Sequence, residues 1–150
     1  RSYQEQQGMS HARARQAIEI KLMAWAAARP IRVANFEEGF EAESGETYLR
    51  AYLLPASTTC RYLGGDAYEY TGVYQIGIVC PAGQALGVAE SLVDEMSSLF
   101  RVDTELSRSG FEGLLTEPLE QGPTITESAT YTVPTSFTYR GVADQSPVRA

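Results

Sequence analysis

Hydrophobic positions recur every three or four residues in two segments of the chain, a spacing that predicts amphipathic helices. Ser10 suits the N-cap of the first helix, and Pro30 cannot continue that helix. The second helix is predicted from about Gly83. The apolar stripes are Ala14, Ile18, Leu22 and Trp25 in the first helix, and Ala85, Ala89, Leu92, Met96 and Phe100 in the second. Each helix is therefore expected to bury one side.

Apolar and other residues alternate in several further segments, as in half-buried strands. These segments are "IRVANF", "TYLRAYLLP", "GVYQIGIVC" and the closing "SATYTVPTSFTYRG". We expect Pro55 to end the second strand and the Gly64–Asp66 stretch to form a hairpin turn before the third. Pro134 lies inside the last segment, which predicts an edge strand or a bulge there because proline cannot donate to a sheet.

The order of helix, strands, helix and strands predicts the α+β class, with a mainly antiparallel sheet and two helices packed on one face. A single domain is expected over residues 9–141. Residues 1–8 are interpreted as extraneous to the natural protein, and 142–150 as a flexible C-terminal tail. The predicted core cluster consists of Trp25, Leu49, Leu53, Ile76, Ile78, Leu92 and Met96.

The charge balance narrows the classes of partner. The 150 residues include 19 acidic and 12 basic ones, and the formal net charge is -7. This balance argues against a nucleic-acid-binding surface and against a polybasic membrane patch, both of which need clustered Lys and Arg. The two cysteines, Cys60 and Cys80, are expected to be reduced, with a single bridge as the alternative if their strands are paired neighbours.

Residue patterns for catalysis, cofactor binding or metal binding are weak. His11 is the one histidine, and we expect it to be an exposed residue near the chain start with no catalytic role. The "PAGQALG" turn has a glycine and a helix N-terminus, which can bind an anion, but lacks the Lys-Ser/Thr of a phosphate loop, so a plain strand-to-helix turn is favoured. No catalytic residue, cofactor or metal site is predicted.

The segment Phe36–Glu46 combines two phenylalanines with five glutamates. It is too charged to bury in the protein's own core and too apolar to favour a position fully in water. We therefore expect a mobile loop that becomes ordered against a partner. The alternative is a passive surface loop whose phenylalanines pack locally. The candidate contact residues in it are Phe36, Glu37, Glu38, Phe40, Glu41 and Glu43.

The stretch "YTGVYQIGIVCPAGQALGVAESLVDEM" resembles the tail terminator family of long-tailed, lambda-like bacteriophages. In that family a strand of this kind runs through a "P-x-G" turn into a helix that ends near a pair such as Leu99-Phe100. The upstream "TYLRAYLLP", the closing "VPTSFTYRG" and the N-terminal helix occur in the same order. The resemblance extends from about Met9 to Gly141.

The resemblance implies a structural virion protein, and no enzyme or cofactor. Members cap the completed tail tube, stop its polymerisation and offer the surface for head joining. They form a ring, usually a hexamer, whose partners are the tail tube protein and a head-completion or connector protein. DNA passes through the lumen without specific binding, and no membrane is involved. The expected location is the virion tail, and the host cytoplasm during assembly.

A ring subunit needs one face for its core and another for its neighbours. Tyr74, Ile76 and Ile78 would serve the core, while Gln75 and Gly77 would leave the reverse face shallow enough for another chain to approach. The alternative is a sheet with one face in water. Two other functions stay open: a different small virion protein, such as a connector or tube subunit, and a small cytosolic enzyme or ligand-binding domain.

Overall fold

The computed structural model describes residues 11–35, 40–60 and 67–144. Its helices are α1 (His11–Ala28) and α2 (Leu86–Leu99). Its strands are β1 (Arg32–Asn35), β2 (Tyr48–Thr59), β3 (Ala67–Pro81), β4 (Glu105–Arg108), β5 (Phe111–Leu115), β6 (Glu120–Gln121), β7 (Ile125–Thr126) and β8 (Thr130–Asp144).

All of these strands belong to one sheet. Its order is β1-β2-β3-β8-β5-β4, and β6 and β7 pair separately with β8. Only the β1–β2 pair is parallel, and the other described pairs are antiparallel. With both helices packed on one face of the sheet, the predicted α+β architecture is confirmed.

The core lies between the two helices and the long antiparallel strands β3 and β8. Four of the predicted core residues are buried, namely Leu49, Ile76, Ile78 and Met96. The other three, Trp25, Leu53 and Leu92, are partly buried and pack against that cluster. Trp25 is only partly buried because the residue that faces the core at this end of α1 is its neighbour Ala26, which is 2% exposed. The Trp25 indole Nε1 instead donates to Glu95 Oε1 of α2 at 3.2 Å.

The expectation that Pro55 ends β2 is wrong, and of the two alternatives for Pro134 the edge strand is wrong, whereas an irregularity in the pairing is present beside it. β2 continues through Pro55 to Thr59, because an irregularity in the register between Pro55 and Ser57 absorbs the proline. β8 is not an edge strand, since it pairs with β3 on one side and with β5, β6 and β7 on the other.

Pro134 is accommodated in β8 by a local gap. Its carbonyl accepts a hydrogen bond from the Gly122 N–H at 2.8 Å, in the segment between β6 and β7. In an antiparallel strand the N–H and C=O of one residue point to the same side. The missing N–H of Pro134 therefore faces this gap, and the pairing with β3 loses no hydrogen bond.

The sheet extends beyond the predicted C-terminal boundary of the domain. β8 runs to Asp144, so 142–144 belong to the sheet and not to the predicted tail. Residues 1–8, the end of the tail and the Gly64–Asp66 turn lie outside the described residues, although the hairpin of β2 and β3 is present.

Cys60 is exposed, Cys80 is buried, and no disulfide joins them. Neither described helix is long and apolar enough to cross a bilayer.

Candidate assembly surface

The side of the sheet opposite the helices forms a surface that we call the reverse face. The registers of β2, β3 and β8 place alternate residues there, while the residues between them enter the core. In the described residues both helices lie on the other side. The central part of the reverse face consists of Tyr48, Arg50, Tyr52 and Leu54 of β2, Val73, Gln75, Gly77 and Val79 of β3, and Thr132, Pro134, Ser136 and Thr138 of β8.

Gln75 and Gly77 lie at the centre of the reverse face, as the alternation predicts. Gln75 is opposite Tyr52 and Ser136, while Gly77 is opposite Arg50 and Pro134. A Cβ atom at Gly77 would lie 3.1 Å from Thr132 Cγ2 and 3.9 Å from the Arg50 carbonyl oxygen. The depression at Gly77 is thus bordered by Thr132, and a larger side chain there would push this methyl aside.

The centre of the reverse face has little charge. Arg50 is the one charged side chain among the residues named above, and its Nη2 donates to the Tyr48 hydroxyl at 3.2 Å. Farther along the same side, Glu69 of β3 forms an ion pair with Arg140 of β8. Large apolar groups remain exposed beside Arg50, with Tyr52 37% and Leu54 43% accessible. Aromatic and apolar groups without carboxylates are typical of the centre of a protein–protein interface. This composition makes the reverse face the strongest candidate for contact with another chain.

The loop between β1 and β2 borders the reverse face. Phe36, Glu37 and Glu38 lie outside the described residues, which resume at Phe40. The Phe40 ring lies 4.9 Å from the Tyr48 ring, centroid to centroid. The Arg32 guanidinium carbon lies 4.5 Å from the centroid of the Phe40 ring. Phe40 therefore packs locally, which is the alternative that the sequence left open for it.

Arg32 of β1 fixes the second half of this loop. Its Nε and Nη2 donate to the two carboxylate oxygens of Glu46 at 2.7 and 2.8 Å, and its Nη2 also donates to the Glu41 carbonyl at 3.0 Å. The Arg32 hydrogen bond, together with one from the Glu43 N–H, lowers the pKa of Glu46 to about 2. Glu41 and Glu43 are left exposed, with no ion pair to any described residue.

His11 is not the exposed residue that the sequence predicts. It is half-buried at the start of α1, and its Nδ1 lies 2.5 Å from the Tyr139 hydroxyl of β8. Its Nε2 lies 3.2 Å from Thr58 Oγ1 of β2, and the edge of the ring meets Tyr70. Burial lowers the pKa of His11. The side chain thus ties α1 to two strands, and one sequence could not reveal this because Tyr139 is 128 residues away.

The "PAGQALG" turn is a strand-to-helix connection, as favoured from the sequence. The Tyr131 hydroxyl lies 3.1 Å from each of the Gln84 and Ala85 carbonyls and so supports the turn. A cavity of about 280 Å³ lies beside it, lined by Ala82, Gln84, Leu86, Thr124, Thr126, Thr130 and Tyr131. No lysine or arginine lines this cavity. Among the described residues no group of three or more His, Cys, Asp or Glu side chains is placed to hold a metal.

The fold thus presents two candidate contact regions, the reverse face and the loop between β1 and β2. Residues 13–139 match the family model described as phage tail terminator protein. The chain therefore belongs to the phage tail terminator family, whose members are structural proteins of the phage tail, and the resemblance seen in the sequence is confirmed.

Several solved structures match this chain, and one of them is similar to it over most of the length of both chains. It is 35% identical in sequence, the match covers 89% of this chain and 96% of that chain, and the TM-score is 0.76. The search of curated proteins found no match.

Proposed function

We propose that this protein caps the completed phage tail tube, stops its polymerisation and offers the surface to which the head is joined. The observation that carries the proposal is the family match, which begins inside α1 and ends inside β8 and so includes every strand of the sheet. The partners are the tail tube protein on one side and a head-completion or connector protein on the other. Assembly takes place in the host cytoplasm, before the protein becomes part of the virion tail.

The protein acts as a ring of identical subunits, with a hexamer as the expected size. A ring needs a surface on each subunit that is buried against a neighbour. The reverse face supports this role because it combines exposed Tyr52 and Leu54 with the small residues around Gln75 and Gly77. The segment containing Phe36, Glu37, Glu38, Phe40, Glu41 and Glu43 serves as a second contact, either with the neighbouring subunit or with the tube.

DNA passes through the ring without being held. The net charge of -7 supports this, and so does the distribution of the charges. The stretch 109–139 contains no Lys or Arg. All four of its glutamates, Glu112, Glu117, Glu120 and Glu127, are exposed. A lumen lined by such a surface would repel the phosphate backbone and leave the DNA free to move.

The test is to add the purified protein to polymerising tail tube protein and to image both by electron microscopy. We expect closed rings of the protein alone, tubes of limited length with a ring at one end, and no long polymers of the protein itself. A tube subunit would instead polymerise, since its contacts do not close on themselves. Tubes that grow equally long with and without the protein would contradict the proposal.

A further inference from the structure

Two arginines at the β4 end of the sheet share one neutral partner. Arg13 lies in the first turn of α1, and Arg108 is the last residue of β4. Arg13 Nη1 and Arg108 Nε both donate to Gln16 Oε1, at 3.1 and 3.2 Å. The Arg13 Nε–H is buried and has no hydrogen-bond partner. Among the described residues, neither guanidinium forms an ion pair.

This pairing is unusual in a chain with more acidic than basic residues. The ion pairs of the described residues use Arg15, Arg29, Arg32 and Arg140, each beside a glutamate. Arg13 and Arg108 instead place two like charges around one amide oxygen, which costs free energy until an anion joins them. A guanidinium is a planar fork of donors that matches a carboxylate. The arginine pair therefore forms a site for a carboxylate that no described residue of the same subunit supplies.

Two exposed carboxylates that form no ion pair with a described residue occur at the opposite end of the sheet. Glu41 and Glu43 are exposed in the β1–β2 loop, and the bond from Arg32 to the Glu41 carbonyl holds the backbone beside them. Within the described part of the loop, Glu46 is the carboxylate that forms an ion pair, with Arg32, and Glu43 lies within electrostatic reach of the same arginine. β2, β3, β8 and β5 separate β1 from β4 in the sheet order, so this loop and the arginine pair lie at different ends of one subunit.

We propose that Arg13 and Arg108 of one subunit bind the carboxylates of Glu41 and Glu43 of the next subunit. The inference rests on the ring in the proposed function and names its contact. Because the two surfaces differ and lie at opposite ends of the sheet, each subunit offers both, and successive copies join head to tail until the ring closes. The occupant of the arginine site is thus a second copy of this chain, selected by charge.

The experiment uses charge reversal in two separate variants of the full chain. The first is Arg108→Glu, chosen because Arg108 is exposed, whereas Arg13 is half-buried. The second is Glu41→Lys combined with Glu43→Lys. The matched controls are Arg101→Glu, and Glu90→Lys combined with Asp94→Lys, which change charge at exposed positions elsewhere. Ring formation is measured by sedimentation and mass photometry across protein and salt concentrations, in solution and on tube ends. Chemical unfolding verifies that each variant is folded.

We expect each reversal alone to weaken subunit association by at least about tenfold, because it turns an attraction into a repulsion. Mixing the two variants should restore rings, since alternating subunits then pair opposite charges at every contact. A single chain that carries all three substitutions should also form rings. The controls should assemble like the wild type, and wild-type association should weaken as salt rises.

Folded Arg108→Glu that forms rings at wild-type concentrations would overturn the proposed contact and leave the capping function standing. Failure of the mixture and of the triply substituted chain to form rings would overturn it as well. Conversely, charge-dependent rings that do not limit tube length would support the contact and contradict the capping function. A wild-type protein that stays monomeric in solution and on tube ends would contradict both.

Discussion

The two faces of β2, β3 and β8 share one backbone but carry different side chains. On the helix side, Tyr74, Ile76 and Phe137 are 0 to 2% exposed. On the reverse face, the residues between them include Gln75 and Ser136, which remain partly accessible. The helix side forms the hydrophobic core and so stabilises the subunit. The reverse face lies on the side of the sheet away from α1 and α2 in the described residues. This difference agrees with the proposal that one face serves folding and the other serves assembly.

The largest expected effect is the difference in stability between variants of two neighbouring residues of β8, Phe137 and Ser136. The Phe137 ring stacks on Phe100 at 4.7 Å and on Tyr74 at 5.8 Å, centroid to centroid. Phe137→Ala should lower the free energy of unfolding by about 3–5 kcal/mol, because it removes a buried ring and leaves a cavity. Ser136→Ala on the reverse face should change it by less than about 0.5 kcal/mol. Urea unfolding of both variants checks this, and equal losses would mean that the reverse face also belongs to the core.

A charge on the reverse face should separate assembly from folding. Gln75→Lys places an ammonium between Tyr52 and Ser136, where a contacting chain would have to desolvate it. We expect ring or tube association to weaken by at least about tenfold while the free energy of unfolding changes by less than about 0.5 kcal/mol. The assay measures ring mass and tube length, with Glu90→Lys as the control. Normal rings that cap normally would show that this face remains in water.

Replacing either of two buried tyrosines on the core side by phenylalanine should change the stability of the fold, in opposite directions for the two. Burial raises the pKa of both Tyr74 and Tyr139 well above the ordinary tyrosine value. The Tyr139 hydroxyl is bonded to His11, whereas the Tyr74 hydroxyl is buried without a partner. Tyr139→Phe should cost about 1–2 kcal/mol, and Tyr74→Phe should be neutral or stabilising by up to about 1 kcal/mol. Thermal unfolding of the two variants side by side measures the difference. A clear loss for Tyr74→Phe would imply that its hydroxyl has a partner after all.

The smallest expected effect is the pH dependence from His11. Its pKa in the folded protein is lowered by burial, so folding favours the neutral ring. The unfolded chain takes up the proton first as the pH falls. Stability is therefore fully present above the unfolded pKa of about 6.5 and decreases as the pH falls below it. Unfolding of wild type and His11→Gln, at about pH 7.5 and about pH 5.5, should show a smaller pH dependence for the variant. Identical profiles would contradict this role.

The sequence predicts most of the fold because local patterns determine it. Strand alternation correctly separates Ile76 and Ile78 from Gln75 and Gly77, and helical spacing locates both helices. The start of α2 at Leu86 and the fates of Pro55 and Pro134 depend on strand partners, which a single segment does not specify. Pro134 in particular is tolerated in a central strand because its missing N–H faces the gap between β6 and β7.

The candidate site is predictable only in part, because its contacts join residues that are far apart in sequence. The charge and aromatic content of the β1–β2 loop marks it as a contact segment, but nothing in it indicates that Arg32 will bind Glu46, 14 residues away. Arg108 reaches Gln16 across 92 residues. The Arg108–Gln16 hydrogen bond follows from the packing of α1 against β4, which is a property of the whole fold.

The gap opposite Pro134 also has a consequence for solubility at high concentration. A long straight strand with unpaired N–H groups can recruit strands of other molecules and so start aggregation. Here β6 and β7 are two residues each and are separated by the gap, and β2 has an irregular register at Pro55, beyond the four residues that pair with β1. A strand of another molecule thus finds only short or irregular segments to extend, which disfavours the growth of fibrils.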